Sequence, residues 1–98
     1  MTVYAVAMAE VQDDSVLCEA EVFHEWDRAV DAADGFMFRC VGDFYEIDPA
    51  DVKGRRAKLE ERIYRETSVW NGKMKLELKY EVEGLVLCAT VQETELEL

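Results

Sequence analysis

Cys18–Gly35, CEAEVFHEWDRAVDAADG, reads as a strand running into a helix, and the rest of the chain takes its place around it. Val16–Phe23 alternates, with Val16, Cys18, Ala20 and Val22 on one face and Glu19 and Glu21 on the other, the period of a half-buried strand. From Trp26 the period changes. Trp26, Ala29, Val30 and Ala33 recur at helical spacing, which predicts a helix over Glu25–Asp34 with this stripe against a sheet. His24 stands where a cap is expected, and Glu25 and Asp27 suit the positive end of the helix dipole. Gly35 is expected to end the helix as a C′ residue. Val22, Trp26, Val30 and Ala33 are then the buried side, and Asp27, Asp31 and Asp34, at i, i+4 and i+7, lie on another face.

Upstream, Val3–Ala9 is seven apolar residues without a break, which predicts a central strand covered on both faces. Gln12–Ser15 is a polar turn, so these two strands are expected to pair as an antiparallel hairpin. Downstream, Phe36–Val41 is a short apolar run, Gly42-Asp43 breaks it, and Phe44–Ile47 resumes as a strand. Asp48, Pro49 and Asp51 read as a helix start with Asp48 as N-cap. Arg55–Glu66 is rich in helix formers, with Arg56/Glu60, Glu61/Arg65 and Arg62/Glu66 as i,i+4 pairs. A strand over Arg62–Trp70 is the rival reading, because Asn71-Gly72 is a type I′ hairpin signal.

Lys73–Glu83 alternates throughout. Met74, Leu76, Leu78, Tyr80 and Val82 point one way, and Lys and Glu side chains point the other. Glu83-Gly84 turns the chain, and Leu85–Gln92 returns as a strand. The expectation is one α+β domain over residues 1–98. It has an antiparallel or mixed sheet of about five strands, one or two helices on one face, and the order β-β-α-β-α-β-β.

The formal charge of −11 opposes direct nucleic-acid or anionic-membrane binding, which needs clustered Lys and Arg. It favours a basic protein surface as partner. The charge is unevenly placed: residues 1–51 sum to −11, residues 52–79 to +5 and residues 80–98 to −5. Two readings fit. Either the basic segment lies against the acidic half, or the acidic half presents carboxylates about 5.4 Å apart along a helix, as a row of phosphates would. On the second reading Asp27, Asp31, Asp34, Glu19, Glu21, Asp13 and Asp14 form the binding face. Trp70, beside the Asn71-Gly72 turn, is a candidate anchor.

Cys18, Cys40 and Cys88 form no CxxC pair, and with no basic leader ahead of them they read as reduced core residues of a cytosolic protein. No apolar run is long enough to span a membrane. His24 is the single histidine, and neither Cys18/His24 nor a Cys18, His24, Cys40 set has a recognised catalytic or zinc spacing. Asp13-Asp14 lacks the glycine of a calcium loop, and the glycines are isolated. No catalytic residue, cofactor or metal is therefore expected, and an enzyme is the least supported class.

Val3-Tyr4-Ala5-Val6, an acidic turn, a strand closing in Val22-Phe23, a helix with Ala29 and a later Phe44-Tyr45-Glu46-Ile47 together resemble small uncharacterised proteins of bacteriophages and prophages. The resemblance covers residues 2–54 and implies a phage or mobile-element origin. By analogy of size and charge it implies an inhibitor of a host nucleic-acid-processing defence system, of the anti-CRISPR kind, acting in the bacterial cytoplasm as a monomer or homodimer. The alternative is a structural or accessory phage protein, or a homodimeric interaction module pairing through its C-terminal hairpin, without nucleic-acid mimicry.

Overall fold

A computed structural model describes residues 1–97. The elements run β1 (Thr2–Gln12), β2 (Ser15–Phe23), α1 (Trp26–Phe44), α2 (Val52–Glu60), β3 (Tyr64–Trp70), β4 (Lys73–Val82) and β5 (Leu85–Glu95). The strands form one antiparallel sheet in the order β2-β1-β5-β4-β3, and both helices lie on one side of it. The domain is α+β with five strands. The β-β-α-α-β-β-β order departs from the expected β-β-α-β-α-β-β at two points: Phe44–Ile47 is not a strand, and Tyr64–Trp70, within the rival strand reading, is one.

The reason lies in α1. Gly35 does not end the helix, because Ala29, Ala33, Phe36, Met37, Cys40 and Val41 continue one buried stripe through it. Packing that stripe outweighs the roughly 1 kcal/mol cost of one helical glycine. The helix closes instead at Tyr45. Glu46 turns left-handed at φ 55°, and the Ile47 N–H donates to the Gly42 carbonyl at 2.9 Å. At the other end Glu25, not His24, is the N-cap residue. The start of α2 also shifts. Asp51 is its N-cap and accepts from the Gly54 N–H at 2.9 Å, while Asp48 accepts from the Ala50 N–H in the preceding turn.

Arg55–Glu66 divides between the two readings: α2 ends at Glu60 and β3 begins at Tyr64. Of the three expected ion pairs, Arg56–Glu60 forms at 3.7 Å, and Arg65 turns instead to Glu60 and Asp34.

The core is a single layer between α1, Leu59 of α2 and the sheet. Val6 and Met8 of β1, Leu85, Leu87, Ala89 and Val91 of β5, and Leu76, Leu78 and Tyr80 of β4 face the helices. The alternation of β4 is as read. The middle strand is β5; β1 is interior too, between β2 and β5, with Val6 and Met8 buried on the helix side and Ala7 and Val11 exposed on the other.

Register decides β2. Glu21 lies opposite Val6 and Glu19 opposite Met8, so the two glutamates share the helix side of the sheet. Val16, Cys18, Ala20 and Val22 therefore face away from the helices and are exposed, Val22 at 62%. The expected buried side loses Val22. Cys18 and Cys88 are exposed and only Cys40 is buried, which corrects the reading of three core cysteines.

The side of the sheet away from the helices carries four aligned rows across β2, β1 and β5. They are Val22-Ala5-Gln92, Ala20-Ala7-Thr90, Cys18-Ala9-Cys88 and Val16-Val11-Val86. On β4 the same rows continue as Lys75, Glu77, Lys79 and Glu81. The molecule is a slab of 43 × 29 × 20 Å, two layers thick.

Candidate acidic binding surface

β2 is an edge strand that extends beyond the cover of α1, and this overhang makes a cleft. Its walls are Glu19 and Glu21 from β2 and Asp31, Ala32, Gly35 and Arg39 from α1, with Met8 and Phe36 also lining it. The cleft has a volume of about 270 Å³. The small Ala32 and Gly35 keep it open on the helix side. Three carboxylates and one guanidinium line it, and Arg39 sits over the Phe36 ring at 5.9 Å. Among the described residues Glu19, Glu21, Asp27 and Asp31 take part in no ion pair.

The seven acidic residues singled out from sequence are thus sorted by the fold. Glu19, Glu21 and Asp31 come together. Asp27 is exposed on α1, one turn before Asp31. Asp13 and Asp14 occupy the β1–β2 turn, Asp13 at φ 52°, and Asp13 lines a separate depression with Glu10 and Leu17.

Asp34 leaves the group. Its carboxylate meets Arg56 at 3.0 Å and Arg65 at 2.9 Å, in a groove that Trp26, Val30 and Leu76 also line. Burial alone would push its pKa up, but the two guanidiniums outweigh that and the net shift is downward. Trp70 lies far from the cleft, at the end of β3, and is 78% exposed.

The basic segment is largely engaged within the chain. Arg55 is 5% exposed, with its Nε donating to the Ile47 carbonyl at 2.9 Å and Nη1 to Asp43 at 3.0 Å. Arg56 and Arg65 share Asp34 and Glu60, and Lys58 meets Glu61 at 3.4 Å. The cleft carboxylates are left facing outward.

Arg39 is the lining residue that sequence reading missed. Asp31, Gly35 and Arg39 are spaced i, i+4, i+8, and a helix continued through Gly35 would have aligned them. Among the described residues no cluster of His, Cys, Asp or Glu is placed to hold a metal ion. No helix among them is long and apolar enough to cross a membrane. No family model, curated protein or solved structure matches the chain.

Proposed function

We propose that the chain is a non-enzymatic binding protein whose acidic cleft, Glu19, Glu21 and Asp31 with Asp27 beside it, occupies a Lys- and Arg-rich surface on a protein partner. There it competes with nucleic acid. In the setting implied by the resemblance to phage proteins, the partner is a host nucleic-acid-processing defence complex and the chain is its stoichiometric inhibitor. One observation carries this reading: the cleft carboxylates converge without an ion-pair partner among the described residues, while Arg55, Arg56 and Arg65 are engaged internally. An excess of unpaired negative charge on one side steers a basic partner and makes association salt-dependent.

The test is capture from host lysate at low and high salt, followed by displacement of an oligonucleotide from the captured protein. The triple variant Glu19→Gln, Glu21→Gln, Asp31→Asn is compared with the native chain. The expected result is a nucleic-acid-binding protein released by salt, whose oligonucleotide is displaced by the native chain and not by the variant. Capture that ignores both salt and the substitutions overturns the reading. A second reading, an interaction module without mimicry, is favoured by the exposed apolar rows of the sheet. Pairing through the C-terminal hairpin is not its basis, because β4 and β5 lie inside the sheet and its edges are β2 and β3.

A further inference from the structure

We propose that the helix-free face of the sheet is the contact surface of a homodimer, in which two copies stack face to face about a two-fold axis. This goes beyond the acidic cleft, which lies on the opposite side and stays open in such a dimer.

The first ground is composition. Across β2, β1 and β5 the four rows hold no charged side chain, on a chain of net charge −11. Val16 is 68% exposed and Val22 62%, with Cys18 and Ala20 exposed between them. A contiguous apolar field of this kind marks an interaction surface. The centre of the field is Ala7 and Ala9, small enough for a second sheet to approach to the ~10 Å of stacked sheets.

The second ground selects the occupant. On this face β4 presents Lys75, Glu77, Lys79 and Glu81, in alternating sign and in the same four rows. An axis crossing the strands between the Ala7 row and the Ala9 row lays the Val22 row on the partner's Val16 row. It lays the Ala20 row on the partner's Cys18 row. Lys75 then faces the partner's Glu81, and Glu77 faces the partner's Lys79. The order Lys-Glu-Lys-Glu is its own complement when reversed, which is what an isologous contact requires. Within one chain Lys75 already meets Glu77 at 3.0 Å, so the pairs join one network along the rim. A foreign partner would need no such self-complementarity.

The third ground is size. Five strands about 4.8 Å apart, with roughly eight residues of common length, give a plan area on the order of 650 Å². Side-chain relief brings this towards the ~800 Å² per partner of a stable interface.

The experiment is sedimentation equilibrium from low to high micromolar concentration. The expected result is a rise from the 11.3 kDa of one chain to the mass of two. Ala9→Arg, at the field's centre, should leave a monomer with an unchanged circular dichroism spectrum. Should that variant fail to fold, the charges decide. Lys75→Glu with Lys79→Glu should weaken the dimer at least tenfold. The fourfold exchange Lys75→Glu, Glu77→Lys, Lys79→Glu, Glu81→Lys should dimerise with itself and exclude the native chain from mixed dimers in native mass spectrometry. Cys18 and Cys88 should be protected from maleimide at high concentration and react on dilution. A monomer at every concentration, a dimer indifferent to Ala9→Arg, or free mixing with the fourfold variant each overturns the proposal.

Discussion

The Arg55 side chain lies directly against Gly42: a Cβ built on that glycine would come within 2.7 Å of Arg55 Cδ. The guanidinium cannot easily swing away, because it donates to the Ile47 and Asp48 carbonyls and to Asp43. One buried cation thereby closes the α1–α2 elbow and satisfies carbonyls where the chain reverses.

Two substitutions test this contact. Gly42→Ala crowds the pinned side chain and should cost about 1–3 kcal/mol. Arg55→Met removes the donors and leaves the Ile47 carbonyl without its partner, at about 1–3 kcal/mol. Urea denaturation measures both, and the double variant should cost less than the two single losses added together, since they disrupt one contact.

Asp34 predicts a pH dependence. Its folded-state pKa lies below the ordinary value of 3.8, so its contribution is present above the unfolded value and lost as pH falls through the folded one. Asp34→Asn should be less stable than the native chain at neutral pH, and the gap should narrow as pH falls below about 4. Denaturation midpoints across that range check it; a gap constant with pH would mean that the ion pairs contribute nothing.

At Gly35 the opposite sign is expected. The residue is helical, and a Cβ there meets nothing within 4 Å. Gly35→Ala should therefore stabilise the protein by about 0.5–1 kcal/mol, raising the melting temperature by about 4 °C. It also adds a methyl at the mouth of the acidic cleft, so partner binding measured on the same variant reports how closely a ligand approaches α1.

The three thiols should separate by reactivity. Burial, reinforced by the Glu10 carboxylate, pushes the Cys40 thiol up to about 12, which leaves almost no thiolate near neutral pH. At low protein concentration, maleimide should label Cys18 and Cys88 and reach Cys40 only on unfolding. Mass spectrometry counts the adducts; rapid triple labelling of the native chain would contradict the placement of Cys40.

Some of this architecture is written plainly in the chain and some is not. Lys73–Glu83 alternates, and β4 really has one covered and one open side, so its burial follows from its pattern. β2 alternates just as cleanly, yet its apolar side is outside. A period of two says that two faces differ, not which one is covered, and β2 is an edge strand whose helix side carries Glu19 and Glu21 beside α1. The register that puts Glu19 opposite Met8 is set by the turn at Asp13-Asp14, which a hydropathy pattern does not describe. Phe36–Val41 fails for another reason. A short apolar run fits a buried strand or a buried helix equally, and Gly35 tips the reading the wrong way. Of the binding surface, the carboxylates of Glu19, Glu21 and Asp31 were visible as residues, but the departure of Asp34 depends on where Arg56 and Arg65 arrive, which is tertiary.

The β1–β5 ladder has a kinetic consequence. It pairs residue 2 with residue 95 and residue 12 with residue 85, and among the described residues it is the only strand pairing that joins the β1–β2 hairpin to the β3–β4–β5 meander. Each of those units can zip locally across a tight turn, whereas the seam must wait for nearly the whole chain to be drawn together. The barrier to folding is therefore expected at the closing of this seam over α1. Substitutions along Val6–Val91 should then slow refolding more than equally destabilising ones at the outer strands.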